Sequence, residues 1–484
     1  MSLPVLASGV GAGKIRRSRN GPRRAAVLLA VHLLIGIHVA WWLATGSALT
    51  PVEPSESMQT LELGLVNAGF IFFALAILST LIFGRFMCGW ACHVVALQDL
   101  CGWMMKKCGV RPHPFRSRLL MWFPLCLALY MFVWPSFKRV ALAPALEAWW
   151  PDIRRDLGIA SLPPEGFVLH LVTEDFWSTF APPLIAIPFL LVCGFATVYF
   201  LGAKGFCTYG CPYGGFFAPA DKLAPGRIVV DHDKCHQCGH CTAVCTSNVR
   251  VHDEIREYGM VVDPGCMKCM DCVSVCPNDA LSFSFARPSA LKGAPRSARP
   301  KRVWDTTWGE DIGLGVVFLA IFFGTRGAYG VIPLLMAVGL AGCGAFLAWK
   351  CWRMARDANV RFSVFQLKRA GRWTRGGWVF ALLTLVAAIV TAHTGFVNYQ
   401  RWRGDLMYER LALDKRALLD PTAPPLSEET LAQAREALAR YQVADSWRNG
   451  GLGLASMSST QLRAALLALA LEDFAQAETQ LRRV

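Results

Sequence analysis

The spacing of the cysteines between residues 235 and 276 constrains this chain more than any other feature. Eight of its 18 cysteines lie there in two near-copies of one pattern, Cys235-x2-Cys238-x2-Cys241-x3-Cys245 and Cys266-x2-Cys269-x2-Cys272-x3-Cys276-Pro277. In such a run three thiolates converge on one iron–sulfur cubane, and the fourth cysteine reaches the cubane of the other run. The spacing therefore predicts two [4Fe–4S] clusters, one bound by Cys235, Cys238, Cys241 and Cys276, the other by Cys266, Cys269, Cys272 and Cys245.

Two other interpretations of these cysteines fit the pattern less well. Structural zinc sites usually combine two C-x2-C pairs separated by a longer loop, without a third cysteine two residues further on. A disulfide framework needs an oxidising compartment, whereas the topology derived below predicts that this segment is cytoplasmic.

The composition is that of a polytopic membrane protein. Of 484 residues, 54% are hydrophobic and only 17% are charged, against about a quarter charged in ordinary soluble domains. A helix of about twenty apolar residues crosses a bilayer. Apolar segments of about that length lie at 25–46, 63–84, 119–137, 176–203, 327–350 and 376–400, and a shorter one lies at 312–325.

The basic residues indicate the orientation of these segments, since Lys and Arg near span ends mark the cytoplasmic side. Segments 1–24, 85–118 and 350–375 are strongly basic, whereas 47–62 carries acidic residues only. We therefore interpret the net charge of +15 as a topology signal and expect no nucleic-acid partner. With a cytoplasmic N-terminus, seven spans are required, so 312–325 should also cross, extended back toward Trp308.

Two more cysteine pairs lie at the inner ends of the second and fourth predicted spans. They occur in Gly84-Arg85-Phe86-Met87-Cys88-Gly89-Trp90-Ala91-Cys92-His93 and in Lys204-Gly205-Phe206-Cys207-Thr208-Tyr209-Gly210-Cys211-Pro212. Helix residues four apart face the same way, so each pair should share a helix face. The matching positions predict a duplicated two-span unit whose four thiolates meet at the cytoplasmic membrane surface. Such a set could bind an iron–sulfur cluster or copper, act as redox dithiols, or consist of partnerless packing cysteines.

These motifs resemble those of the membrane-bound polyferredoxin family over roughly residues 24–285. That family includes the quinol-dehydrogenase subunit of periplasmic nitrate reduction, the nitrous oxide reduction regulator and a cytochrome oxidase assembly factor with copper-reductase activity. The resemblance implies electron transfer between quinol, iron–sulfur clusters and a periplasmic or metal acceptor. The chain departs from the pattern at His93 and Thr246, which replace proline after Cys92 and Cys245, and in the extra thiols Cys101 and Cys108. The first departure makes His93 a candidate ligand.

Three histidines lie within predicted spans. His32 and His38 are six residues apart, which places them on different faces of a 3.6-residue helix. Only one of them could pair with His393 across a haem. An interfacial position or the lining of a quinone pocket is the favoured interpretation, and haem is not expected. The isolated Cys126, Cys193, Cys343 and Cys351 are interpreted as packing residues.

The tail after Gln400 should lie outside. Ser427 precedes two acidic residues and is a candidate N-cap of a helix. The stretch 461–483 predicts two short Ala/Leu helices that resemble one tetratricopeptide unit. A periplasmic docking module and a simple helical cap are both open interpretations.

The predicted fold class is a polytopic α-helical membrane protein of about seven spans, with an inserted cytoplasmic bis-[4Fe–4S] ferredoxin-like α+β domain and a small α-helical C-terminal tail. The predicted parts are a basic cytoplasmic arm (1–24), a four-span membrane domain (25–203), a cytoplasmic domain with the second Cys-x3-Cys motif and both clusters (204–290), a linker (291–310), three further spans (311–400) and a periplasmic tail (401–484).

Together with the resemblance, these features predict a multi-pass protein of the bacterial inner membrane. It would be an electron-transfer protein, an oxidoreductase component like a quinol dehydrogenase. Its expected partners are the lipid bilayer, quinone or quinol, and a redox protein in the cytoplasm or periplasm. One alternative is a copper reductase and assembly factor for a respiratory enzyme, with copper at Cys88, Cys92, Cys207 and Cys211. The other is a redox-sensing membrane regulator.

Overall fold

A computed structural model describes residues 15–110, 112, 115–156, 159, 166–176, 183–247, 249–292, 304–363, 365–411, 413, 418 and 424–484. In this part, five helices are long and apolar enough to cross a membrane: Asn20–Thr45, Leu119–Trp149, Trp308–Thr325, Leu334–Arg356 and Arg375–Leu411. Shorter apolar helices at Ala68–Phe83 and Ala186–Leu201 coincide with the two other predicted spans. The protein is thus mostly helical with five candidate spans, and the count of seven stays a prediction.

The helices are, in chain order, α1 (Asn20–Thr45), α2 (Ser57–Leu63), α3 (Ala68–Phe83), α4 (Phe86–Trp90), α5 (His93–Lys107), α6 (Leu119–Ala128), α7 (Trp134–Phe137), α8 (Ala143–Trp149), α9 (Pro151–Asp156), α10 (Pro183–Leu190), α11 (Thr197–Leu201), α12 (Gly214–Leu223), α13 (His240–Ala243), α14 (Val251–Tyr258), α15 (Asp271–Ser274), α16 (Trp308–Thr325), α17 (Leu334–Arg356), α18 (Arg375–Leu411), α19 (Glu428–Ala444), α20 (Ser458–Ala470) and α21 (Phe474–Leu481). Wider π-helical turns lie at Leu129–Val133, Lys138–Leu142, Leu191–Ala196 and Phe206–Gly210.

The strands are short: β1 (Ala48–Leu49), β2 (Leu65–Val66), β3 (Val168–Leu169), β4 (Val172–Thr173), β5 (Gly226–Val230), β6 (Leu281–Phe285), β7 (Val360–Phe362), β8 (Phe365–Arg369) and β9 (Arg372–Trp373). β2 pairs with β3 in parallel, while β1–β4, β5–β6 and β7–β8–β9 pair antiparallel. The chain divides into two compact units, a first unit of residues 1–137, 162–180 and 193–307, and a second of 138–161, 181–192 and 308–484.

In the first unit, the helix that follows each Cys-x3-Cys motif packs on an apolar helix of the other copy. α12 runs beside α3 in the same direction, because Phe216 contacts Phe73 near the start of α3 with ring centroids 5.8 Å apart, and Gly226 lies against Phe83 at its end. In the other copy, the buried Cys101 of α5 packs against Val198 of α11. This arrangement positions both motifs between the same helices.

The ferredoxin segment belongs to the first unit and forms a small α+β structure. β5 and β6 pair in the register Gly226↔Phe285 to Val230↔Leu281. Around them, an apolar core is built from Ile228, Val249, Val251, Ile255, Val261 and Leu281 together with cluster-loop cysteines. The short helices α13, α14 and α15 connect the cysteine loops over this core.

The second unit contains α16, α17 and α18, with the tail helices packed on the end of α18. Gly324 of α16 and Gly395 of α18 face each other, and a Cβ added to either would lie 3.5 Å from the Cα of the other, so two glycines allow the helices close contact. α18 continues to Leu411, past the predicted boundary at Gln400, because Met407 and Tyr408 of its last turns pack into the tail core. Ser427 caps α19 as predicted, since its hydroxyl accepts the Thr430 N–H at 3.2 Å.

The third predicted span also ends later than expected. The sequence suggested a loop after residue 137, but the helical run that begins at Leu119 continues to Trp149. Lys138 and Arg139 lie in a π-helical turn, so two charged side chains mark a change of helix geometry without ending the helix.

Candidate iron–sulfur centres

The structure gathers the first predicted cluster set around one cavity. Cys235, Cys238, Cys241 and Cys276 all line it, together with Pro277, so the fourth cysteine comes from the second run. The cavity has an empty volume of about 380 Å³, including its open mouth. A cubane held at this position would be exposed on one side, because Cys238 is exposed while Cys241 is buried.

The second predicted set is more deeply buried. Burial, with Cys266 and Cys269 as neighbours, raises the pKa of the Cys245 thiol to about 12. Burial, followed by the proximity of Cys266, Cys269 and Cys245, raises the pKa of Cys272 well above its usual range. The four thiols are therefore neighbours in an apolar shell. Iron binding would ionise them, because metal coordination deprotonates thiols that burial keeps neutral.

The two cysteine loops have the same unusual backbone. Gln237 and Lys268, each directly before the second cysteine of its run, have φ of 52° and 49°. Gly239 and Met270, each directly after that cysteine, have φ of 75° and 62°. Left-handed conformations are uncommon for residues other than glycine and concentrate at functional sites. The repeated pattern curls each loop so that its thiols converge, which fits a cubane.

The four thiols of the Cys-x3-Cys motifs, Cys88, Cys92, Cys207 and Cys211, also lie together, and we call them the four-thiol set. The Arg85 guanidinium lies near Cys88, Cys211 and Cys207. Cys92 is a neighbour of Cys88. Cys211 in turn has Cys92 and Cys88 as neighbours.

The expectation that each of these pairs shares one α-helical face was wrong. α4 ends at Trp90, and Cys92 is extended at φ −83° and ψ 123° before α5 begins. Cys207 lies in the π-helical turn, and Cys211 is extended at φ −79° and ψ 118° before α12. Pro212 disfavours an α-helical Cys211, and Cys92 takes the extended backbone of an N-cap residue. The thiols meet through the tertiary packing of two similar turns.

The second motif folds back alongside α3, deeper than the span end at which the sequence placed it. Tyr213, two residues after Cys211, contacts Phe73 with ring centroids 5.6 Å apart. Phe73 precedes the end of α3 at Phe83 by about 15 Å of helix axis at 1.5 Å per residue. A Cβ on Gly215 would lie 2.5 Å from the Ala128 Cβ, so this glycine lets α12 pack closely on α6.

The loop of residues 266–269, here called the cluster-2 loop, rests directly on the four-thiol set. Met267 is fully buried and packs with Cys207, Cys88 and Cys92. A Cβ added to Gly89 would lie only 2.1 Å from the Met267 carbonyl oxygen. The Trp90 indole N–H donates to the Lys268 carbonyl at 3.0 Å. Ligands of the second cluster and the four-thiol set are thus next to each other in one packed unit.

A buried charge network that sequence reasoning missed fixes this contact. Asp221 of α12 accepts Lys268 Nζ at 2.8 Å, Arg227 Nη1 at 3.0 Å and the Arg85 backbone N–H at 3.1 Å. The side chains of Asp221, Lys268 and Arg227 are 0% exposed. An aspartate six residues before an arginine was the available signal, but the other partner of Asp221, Lys268, is distant in sequence.

The start of α1 binds the two residues that directly follow the cluster-2 loop. Arg24 donates to Asp271 at 2.7 Å and to Asp99 at 2.9 Å. Asn20 Nδ2 donates to the Met270 carbonyl at 3.0 Å. The N-terminal end of the first candidate span and the ferredoxin segment therefore lie at the same end of the first unit.

Two cations beside the four-thiol set are buried. Arg85 is 3% exposed and Lys204 is 0% exposed, and each lies three residues before the first cysteine of its motif. Lys204 Nζ has no hydrogen-bond partner within the described residues, and neither has Arg85 Nε. Buried charges are normally paired, so four thiolates carrying an anionic iron–sulfur centre fit the donors and the charge found here.

The candidate histidines occupy other positions. His32, His38 and His393 contact the carbonyls of Leu28, Leu49 and Leu452 at 2.7, 2.8 and 2.8 Å. His93 Nε2 lies 4.0 Å from a Glu53 carboxylate oxygen.

Among the described residues, no group of three or more His, Cys, Asp or Glu side chains is arranged to hold a single metal ion. A [4Fe–4S] cluster needs a different arrangement, because each thiolate binds a different iron atom of the cubane.

Comparison with known families agrees with these centres. The family described as "4Fe-4S dicluster domain" matches residues 227–277, and the family described as "4Fe-4S binding domain" matches twice, at residues 67–111 and 184–229. These matches support the resemblance of the chain to the membrane-bound polyferredoxin family. The double match covers the two Cys-x3-Cys motifs, in agreement with the duplicated unit predicted from them.

Curated proteins that resemble this chain are similar to it over about half of its length. YccM of Escherichia coli K12, named for electron transport, is 26% identical over 55% of this chain and 76% of its own. The ferredoxin-type protein NapH of Haemophilus influenzae is 25% identical over 48% and 74%. The methylamine utilization ferredoxin-type protein MauN of Methylorubrum extorquens is 27% identical over 50% and 79%. No solved structure matches the chain.

Proposed function

We propose that this protein relays electrons between two [4Fe–4S] clusters and a third iron–sulfur centre inside its membrane domain. The clusters would be held by the two crossed cysteine sets, and the third centre by Cys88, Cys92, Cys207 and Cys211. The contact between the cluster-2 loop and the four-thiol set carries this proposal, because it makes the ligands of two centres neighbours. As an oxidoreductase component, the protein would exchange these electrons with a quinone or with a periplasmic redox protein.

The centres supply one-electron redox chemistry when bound, and the side chains position them. The Asp221–Lys268 ion pair and the Trp90 hydrogen bond hold the cluster-2 loop against the four-thiol set. The buried Met267 excludes water from the space between them. The exposed Cys238 leaves the first cluster accessible to a soluble redox partner.

The proposed orientation places the ferredoxin segment in the cytoplasm and the tail in the periplasm of a bacterial inner membrane. It is supported by the basic residues before α1 and by the contacts that Arg24 and Asn20 of α1 make with Asp271 and Met270, directly after the cluster-2 loop. The tail helices α19–α21 would then be available to a periplasmic partner. Cysteine labelling at Ser47→Cys and Lys234→Cys in intact cells and in inverted vesicles tests the two faces.

Iron and acid-labile sulfide content, with EPR of the anaerobically reduced protein, tests the relay. We expect wild type to hold more than the roughly eight iron atoms of two [4Fe–4S] clusters. The Cys88→Ser/Cys207→Ser double variant should fall to about eight and lose one EPR signal. The matched control is Cys343→Ser, which removes one of the two cysteines of α17, outside all three predicted sets. Equal iron in all three proteins would show that the four-thiol set binds no iron and that the relay ends at the second cluster.

A further inference from the structure

Arg85 and Lys204 are a pair of buried cations that the relay described above does not use. They occupy equivalent positions in the two copies, each three residues before a cysteine of the four-thiol set. Arg85 donates to the carbonyls of Pro264 and Cys207, both at 3.0 Å. These acceptors are uncharged, and within the described residues Lys204 Nζ has none at all.

Burying two cations in this way destabilises the folded protein unless an anion lies nearby. A buried charge in an apolar region costs several kcal/mol unless it is paired. Cysteines of the four-thiol set are neighbours of both cations and become anionic when they bind iron: Arg85 lies near Cys88, Cys211 and Cys207, and Lys204 lies near Cys207. The two cations, one from each copy of the motif, therefore share Cys207 as a neighbour.

The charge of the two cations also matches the charge expected of an iron–sulfur centre. An oxidised [2Fe–2S] or [4Fe–4S] core carries two positive charges, so four thiolate ligands leave a net charge of about −2. Two fixed cations balance that charge, whereas four neutral thiols leave both cations uncompensated. Net charge and nearby hydrogen bonds are among the factors that set the potential of such a centre.

We infer that Arg85 and Lys204 are the countercharges of the third centre and set its reduction potential. This rests on the proposed function, since it assumes an iron–sulfur centre at the four-thiol set. Reduction takes one electron from the reduced second cluster and converts one ferric ion to ferrous, without a proton and without breaking an iron–thiolate bond. The added negative charge is stabilised by both cations, so removing one of them should disfavour the reduced form.

The test is an EPR-monitored redox titration of the holoprotein in wild type, Lys204→Met, Lys204→Arg and Lys222→Met. Lys222 is an exposed lysine of α12 and serves as the matched control. We expect Lys204→Met to lower the reduced-to-oxidised ratio of the third centre at least tenfold, which is 59 mV for a one-electron couple. Lys204→Arg should stay within threefold of wild type, and the other two clusters should not change. Arg85→Gln should shift the potential in the same direction as Lys204→Met.

Two outcomes would overturn this assignment while leaving the relay intact: a Lys204→Met protein with full iron and an unchanged potential, or loss of the third centre from both Lys204→Met and Lys204→Arg. The second result would mean that the shape of lysine is needed and its charge is not. Loss from Lys204→Met alone supports the assignment. Absence of a third centre from wild type would instead refute the proposed function itself.

Discussion

Substituting Asp221 by Asn tests whether buried charge holds the cluster-2 loop on the four-thiol set. The carboxylate is fully buried and pairs with Lys268 at 2.8 Å and Arg227 at 3.0 Å. Removing one member of a buried pair typically costs about 3–5 kcal/mol, because the other charge is left uncompensated. Both cations keep a carbonyl acceptor, at 3.4 Å for Lys268 and 3.3 Å for Arg227, so we expect about 4 kcal/mol.

The assay is the loss of cluster absorbance on heating, in one detergent, without oxygen and at one scan rate, because unfolding of such proteins is commonly irreversible. At 2–4 °C per kcal/mol for a domain of this size, the midpoint should fall by about 10 °C. The EPR signal of the second cluster should change and that of the first should not, since Lys268 belongs to the loop of the second.

Two further proteins make this experiment decisive. Asp231→Asn removes an exposed carboxylate that pairs with the exposed Lys234 at 3.0 Å, and we expect no measurable change because water screens such pairs. Asp221→Asn/Lys268→Met removes one uncompensated cation and should recover part of the loss. If Asp221→Asn has the same melting midpoint as wild type, or if the double variant is less stable than Asp221→Asn alone, the electrostatic reasoning is wrong.

Three other predictions concern positions in the ferredoxin segment and beside the four-thiol set. Gly89→Ala should lower the free energy of unfolding by about 1–3 kcal/mol through overpacking, because its Cβ would lie 2.1 Å from a carbonyl oxygen. Gly102→Ala has open space around it and should be neutral or slightly stabilising in the same unfolding assay. Burial, with Asp263 nearby, raises the pKa of Glu254 from 4.5 to about 7, so the stability of wild type relative to Glu254→Gln should decrease by about 2–3 kcal/mol as pH rises from 4.5 to 7. In EPR spectra, Cys245→Ser should alter the second cluster and Cys276→Ser the first, although each lies in the other run.

Each of these predictions has an outcome that contradicts it. Equal stability changes in both glycine variants would mean that the contact with the cluster-2 loop does not decide stability at Gly89. A stability difference that is independent of pH would mean that Glu254 is ionised in the folded protein as readily as in the unfolded chain. Matching spectra of the Cys245 and Cys241 variants would show that each run binds its own cluster.

Local patterns in the sequence predicted the features that depend only on residues close together in the chain. Loops with two residues between cysteines leave the chain few ways to curl, so the spacing predicted which thiols gather at the cavity of Cys235 and Cys276. Continuous apolar segments predicted the helices, because a backbone without water must satisfy its hydrogen bonds internally. Ser427 predicted a helix start, because capping needs only the next three residues.

Tertiary structure alone decided how the centres are related. Each Cys-x3-Cys pair was expected on one helix, and the actual turns are set by packing between α3, α12 and α6. The Lys268–Asp221 pair joins residues 47 positions apart and the Arg85–Pro264 bond joins residues 179 apart, separations at which no local pattern indicates contact. The sequence by itself determined that iron–sulfur clusters and apolar helices occur in this chain. Only long-range packing determined that the cluster-2 loop, four thiols and two uncompensated cations share one buried region, because burial and charge pairing are properties of the folded whole.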